Sequence, residues 1–224
     1  MTGLKWSLFA RASDFEHTGF IKIYDATLEI IISAFDMRTK EAPGHTQRVT
    51  EMTVNLGRLM GLNHEDLENM RRGALLHDFG NIAVPESILH KTGELTVDEW
   101  IAIHIHPFTA YEMLSPINFL RSALDIPYRH HERWDGKGYP KGLAGEKIPL
   151  AARIFSVVDV YDSLTSDRPY RPAWAKDEAI DYIEVMAGKQ FDPKVVGVFL
   201  KMVQSSSSPG RVSPKDPLAP SFPR

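Results

Sequence analysis

The chain has 224 residues, 43% of them hydrophobic and 25% charged, a balance that suits a soluble globular protein of one good-sized domain or two small ones. Its net charge of −3 supplies no global field for nucleic acid, and no apolar run is long enough to span a bilayer. Cysteine is absent, which excludes disulfides and thiolate chemistry and fits a reducing cytoplasm, and the apolar stretch within residues 1–10 is too short for a signal peptide.

In chain order, residues 1–20 read as an N-terminal segment or linker. A helix over 21–38 carries Tyr24, Leu28, Ile31, Ile32 and Phe35 at helical spacing. Pro43-Gly44 breaks it, and a second helix with Val49, Met52, Leu56, Leu59 and Met60 stops near Gly61. Asn63 caps a third helix, with Asp66 three residues on. Thr96 and Glu99 form a capping box for a helix through about Leu114. Residues 117–131 are helical, and 134–149 form a loop rich in Gly, Lys and Pro. Helices follow over about 150–166, 176–187 and 193–204, the last capped by Asp192 with Pro193 in its first turn. Ile82-Ala-Val-Pro85 is the single strand candidate, short and ended by proline. The Ser/Pro-rich stretch 205–224 lacks the apolar content to order itself and predicts a disordered tail.

Polar residues interrupt this pattern at specific places. Leu67, Met70, Ala74 and His77 share one stripe, with Asp78 beside them, so an imidazole and a carboxylate extend an apolar face. A carboxylate buried alone costs several kcal/mol or becomes neutral. Either a metal ion or a buried His–Asp hydrogen bond would resolve that cost. His130-His131 precede the loop, and Asp159 interrupts the apolar run Ile154-Phe-Ser-Val-Val. His45 follows the Pro-Gly break. His106 lies two residues from His104, which on one helix puts them on nearly opposite faces, so the two do not share a metal. These imidazoles and carboxylates, from separated segments and without sulfur, suit a hard cation such as Fe or Mn.

Taken together, the residues resemble the HD-GYP family, a branch of the HD-domain metal phosphohydrolases, over roughly residues 25–190. The strongest stretch is His130-His-Glu-Arg-Trp-Asp-Gly-Lys-Gly-Tyr-Pro140. Gly142-Leu-Ala-Gly-Glu-Lys-Ile-Pro-Leu150 and Asp159-Val-Tyr-Asp-Ser-Leu-Thr-Ser-Asp-Arg-Pro-Tyr-Arg171 continue it. Gly44-His-Thr-Gln-Arg-Val49 and Leu76-His-Asp-Phe-Gly80 supply the earlier motifs. The resemblance implies an all-α fold: an HD-domain helical bundle over 21–204 with extra C-terminal helices and a Gly/Lys-rich GYP loop. It implies a cytoplasmic bacterial phosphodiesterase that hydrolyses cyclic di-GMP to the linear dinucleotide, with GMP as the alternative end product. Its metal ligands here would be His45, His77, Asp78, His106, His130, His131 and Asp159, with Asp78 bridging two divalent ions, Fe or Mn. Glu41, four residues before His45, would hold a third ion or is a solvated loop acid. Arg168 and Arg171 stand where the family places cations for the substrate phosphate; the alternative for each is a salt bridge, to Asp162 or Asp167. Tyr139 and Trp134 would stack on a guanine or pack the loop onto the helices, the second being preferred for Trp134. Within 128–153, six Lys/Arg face three Asp/Glu, a locally basic segment that attracts an anion. Partners implied are a sensor, a receiver or a diguanylate cyclase, or a second copy of the chain as a homodimer, and neither DNA nor membrane.

One position departs in the chemistry. The family closes the motif His-Asp-x-Gly with Lys, and this chain has Asn81, shorter and neutral. Losing one preorganised cation would raise the barrier by ~2–4 kcal/mol. A second reading is therefore an HD-GYP module that binds a cyclic dinucleotide or a partner and turns over weakly. Ala110 for Gly and Thr92 for Pro are departures away from the chemistry. The roughly 20 residues ahead of the first helix are too few for an input domain, so the chain acts alone, takes its input from a partner, or is a fragment.

Overall fold

Helix after helix follows from capping and periodicity, and the computed structural model describes residues 23–39, 42–167 and 171–205. The expected linker and tail lie outside these residues, as do Glu41 and Arg168. Helix α1 covers 23–39. It is followed by α2 (His45–Leu59), α3 (His64–Leu75), a 3-10 turn (Phe79–Ala83), α4 (Glu86–Leu89), α5 (Val97–His104) and α6 (His106–Leu114). A second 3-10 segment (Asn118–Ala123) leads to α7 (Asp125–Arg129), α8 (Leu150–Thr165), α9 (Lys176–Val185) and α10 (Pro193–Ser205). No strand occurs among the described residues, only isolated bridges such as Asp135 with Ala144.

The expected caps form. The Asn63 side chain accepts from the Asp66 amide at 2.9 Å, and Thr96 with Glu99 closes a capping box on α5. Asp192 accepts from the Lys194 amide at 2.7 Å at the start of α10. Helix α8 is the axis of the larger core: Ile154, Phe155, Val157, Val158 and Leu164 are all buried against α2, α3, α9 and α10. A smaller core joins Ile32 of α1 to Leu76, Ala110, Leu114, Leu120 and Leu124. No described helix is long and apolar enough to cross a membrane.

Four expected elements differ. Helix α3 ends at Leu75, so His77 and Asp78 leave its stripe for a tightened turn in which the His77 amide donates to Ala74 O at 3.4 Å. The helix expected to run to Leu114 breaks at Ile105, because Pro107 has no N–H for the Ile103 carbonyl. The 117–131 stretch divides into a 3-10 segment and the short α7. The strand candidate is not a strand: Ile82 and Ala83 close the 3-10 turn that follows Asp78.

Candidate metal centre

The candidate ligands come mostly from helix ends, where backbone groups lack helical partners. His45 opens α2 behind Gly44, whose φ of 72° turns the chain into the helix. His77 and Asp78 follow α3, His106 opens α6, His130 and His131 follow α7, and Asp159 lies within α8. Gly80 packs so tightly on the first residue of α6 that a Cβ would collide with the His106 carbonyl. This close approach brings the segment carrying Asp78 against His106. Phe155, fully buried, forms an apolar floor, with ring centroids 4.9 Å from His77 and 5.8 Å from His130.

Helix-end carbonyls also orient the imidazoles. Nδ1 of His77 donates to Ala74 O at 2.8 Å, Nδ1 of His106 to Ile103 O at 2.8 Å, and Nδ1 of His130 to Ile126 O at 3.0 Å. A carbonyl can only accept, so each Nδ1 carries a hydrogen and each Nε2 is the nitrogen turned to the interior. The Ile103 carbonyl is the one that Pro107 leaves unbonded. His45 is oriented by a carboxylate instead: Asp162 accepts from its Nδ1 at 2.7 Å. Asp162 is held in turn by a two-pronged Arg48, at 2.6 Å from Nε and 2.8 Å from Nη2.

The donor atoms gather into two groups. Asp78, His106, His130 and His131 each offer one atom within 4.8 Å of the others, and so do His45, His77 and Asp159. Asp78 faces both groups. Its Oδ1 lies 3.3 Å from His106 Nε2 and 3.7 Å from His130 Nε2, and its Oδ2 lies 3.5 Å from His77 Nε2. On the other side, His45 Nε2 is 3.5 Å from Asp159 Oδ1. The four imidazoles of His45, His77, His106 and His130 are buried, while the Asp78 and Asp159 side chains are 30% and 20% exposed. The carboxylates therefore form the open mouth.

The electrostatics suit cations. Burial opposes charge on His77, but the adjoining Asp78 outweighs it and raises the imidazole to about 10. Burial, with His106 close by, pushes His130 down to about 3, and burial with His130 holds His131 well below the usual range. Burial would raise Asp78, yet His77, His106 and His130 hold its carboxyl well below the carboxylate range. Asp78 is thus held ionised beside neutral His130 and His131, and the proton on His77 is the one a divalent ion would displace.

The loop after His131 is built onto this cluster. Buried Glu132 accepts from the amides of Lys141 at 2.7 Å and Leu143 at 2.9 Å. Gly138 lies directly on the backbone of residues 131–133, where a Cβ would meet His131 O and Arg133 N. The amide of Tyr139 donates to His131 O at 3.2 Å, and its ring stacks on His131 at 4.6 Å. Trp134 lies under the Arg153 guanidinium at 5.9 Å, packing the loop on α8. Arg171 caps the end of α8, donating to Ser163 O at 2.7 Å and Leu164 O at 3.2 Å, so neither suggested salt bridge forms. Asn81 is buried in the 3-10 turn, and its Oδ1 has no partner among the described residues. Asp162, Arg48 and Glu132 were not singled out from the sequence, although Arg48 and Asp162 each lie three residues after a candidate ligand, one helical turn on.

The helical frame brings together two adjoining groups of donors that could hold metal ions. An HD domain family model matches residues 29–195. The chain belongs to this family. Over 177 residues it is 41% identical to a cyclic di-GMP phosphodiesterase response regulator, RpfG, of Xanthomonas campestris pv. campestris, covering 78% of this chain and 47% of that protein. It is 35% identical over 173 residues to a 3'3'-cGAMP-specific phosphodiesterase of Vibrio cholerae, covering 76% of this chain and 33% of that one. The chain therefore spans half or less of the length of these curated relatives. Its fold is similar to that of Bd1817, an HDG"Y"P protein from Bdellovibrio bacteriovorus, with a TM-score of 0.58, 18% identity and coverage of 71% and 51% of the two chains.

Proposed function

We propose that the chain is a metal-dependent phosphodiesterase that hydrolyses cyclic di-GMP to its linear dinucleotide and on to GMP, in bacterial cytoplasmic signalling. The observation that carries this reading is Asp78, whose two oxygens face two separate groups of imidazole and carboxylate donors. All-nitrogen and oxygen donor sets with Nε2 atoms directed inward fit divalent Fe or Mn. One ion would sit with His45, His77, Asp78 and Asp159, and the other with Asp78, His106, His130 and His131. Glu41 is the candidate ligand for a third. Such ions neutralise phosphodiester charge and lower the pKa of water enough to supply a nucleophile near neutral pH.

The protein's own groups do the rest. Helix-end carbonyls and Asp162 fix the imidazole orientations, so the donors are set before an ion arrives. The partly exposed mouth between Asp78 and Asp159 admits a phosphate, and the neutral Tyr139 hydroxyl donates to it. Burial and the two carboxylates hold that phenol protonated. Arg168 is the candidate phosphate cation; Arg171 would first have to leave the carbonyls it caps. Asn81 offers a neutral amide where related proteins carry a cation.

The test uses anaerobically purified chain loaded with Mn²⁺ or Fe²⁺ and supplied separately with cyclic di-GMP and 3'3'-cGAMP. Linear dinucleotide from cyclic di-GMP is expected, and Asp78→Ala should abolish it together with metal binding. Preference for the mixed dinucleotide would revise the substrate. Silence on both with metal bound would refute the enzyme and favour a binding module.

A further inference from the structure

His104 belongs to none of the motifs and to neither donor group, yet it packs on the tyrosine that follows the cluster. Its imidazole stacks on the Tyr139 ring at 4.3 Å with 26° between planes. The opposite neighbour of Tyr139 is His131, at 4.6 Å and 22°. The phenol ring is thus layered between an imidazole from α5 and an imidazole of the ligand cluster. Trp100, one turn earlier on α5, adjoins His104 at 5.3 Å. Helix α5 has no buried residue of its own, so this stack is a principal tie between it and the loop. Neither the His104 imidazole nor the Tyr139 hydroxyl hydrogen-bonds to the protein among the described residues. Tyr139 is partly exposed. Its ring lies directly against His131 of the second donor group, and ring packing is what aims it.

We infer that His104 is a positioning residue: with His131 it clamps the ring of Tyr139, so that the phenol hydroxyl stays over the cluster as a hydrogen-bond donor to a phosphate oxygen of the dinucleotide. The inference rests on the phosphodiesterase reading. The loop backbone is already fixed by Glu132 and Gly138, which leaves the side-chain torsions of Tyr139 as the remaining freedom. With His104 removed, one face of the ring opens and those torsions are released. A donor held in a single geometry loses rate when it must search for it.

The experiment is a double-mutant cycle on the Mn²⁺-loaded chain with cyclic di-GMP: wild type, His104→Ala, Tyr139→Phe and the double variant, with His104→Phe added. Tyr139→Phe should lower kcat/KM roughly tenfold to a hundredfold, the range for one hydrogen bond to a charged group. His104→Ala should lower it less, and the double variant should equal Tyr139→Phe. His104→Phe, which stacks but neither ligates nor carries a proton, should restore activity toward wild type. Bound Mn²⁺ should be unchanged throughout. Additive losses, no rescue by Phe, or loss of metal in His104→Ala would overturn the role, the last by placing the effect on His106. Wild-type activity in Tyr139→Phe would overturn it while the phosphodiesterase reading stands. A wild type that binds Mn²⁺ without releasing product would remove the reading itself and the inference with it.

Discussion

Asp162→Asn isolates the group that orients His45 without touching a ligand. Asp162 accepts three short bonds, from His45 Nδ1 at 2.7 Å and from Arg48 at 2.6 and 2.8 Å. An amide keeps the shape but loses the charge and one acceptor oxygen, leaving Arg48 or His45 poorly paired. Loss of an orienting partner of this kind weakens metal binding by ~10- to 100-fold, about 1.4–2.7 kcal/mol. The same substitution changes the pH dependence of the metal-free protein. Burial alone would raise the Asp162 pKa, but the bonds from His45 and Arg48 outweigh it and lower the carboxyl from 3.8 to about 2. A depressed folded pKa contributes stability that is full above the unfolded value and is lost as pH falls through the folded one. The shift corresponds to ~2 kcal/mol, present at pH 7 and fading between about pH 4 and 2. Mn²⁺ titration against a competing chelator reads the first effect. Urea melts of chelated protein at pH 7, 5 and 3.5 read the second, where the gap between wild type and Asp162→Asn should narrow toward acid. Equal Mn²⁺ affinity together with a pH-independent gap would refute the reasoning.

Two further outcomes follow from the same geometry. Asn81→Lys should raise kcat on cyclic di-GMP by ~10²–10³-fold if the missing cation limits the rate, and an unchanged kcat would show that the neutral amide suffices. Gly80→Ala places a methyl against the His106 carbonyl, so the backbones must part; we expect about 1–3 kcal/mol of lost stability in urea melts and weaker Mn²⁺ binding. Wild-type values for both would mean that the approach of this turn to α6 does not set the cluster.

The helical class was legible because apolar spacing and caps are local. Asn63, Thr96 with Glu99, and Asp192 each act within three residues of the helix they start. Helix ends were less legible. The break at Ile105 depends on Pro107 and on an imidazole that takes the freed carbonyl, and the end of α3 depends on a turn that neighbouring segments hold. His104 and His106 were expected to look away from each other on one helix. They belong to two helices, one ring packing on the loop tyrosine and the other entering the cluster.

The sequence by itself determined the donor chemistry: five imidazoles and two carboxylates in apolar surroundings, without sulfur, in an order that resembles one family. Residue type and local spacing are sufficient for that. Only the tertiary structure decided how those donors divide. Residues 24 to 117 positions apart in sequence become hydrogen-bonding distance neighbours, or nearly so, only when α2, α3, α6, α7 and α8 pack, as with His106 and His130, separated by 24, and His45 and Asp162, separated by 117. Orientation was likewise decided there. Which nitrogen of His45, His77, His106 and His130 faces inward depends on a helix-end carbonyl or a distant carboxylate, and the packing of the Tyr139 ring depends on an imidazole from another helix. Those are long-range contacts, and no local pattern encodes them.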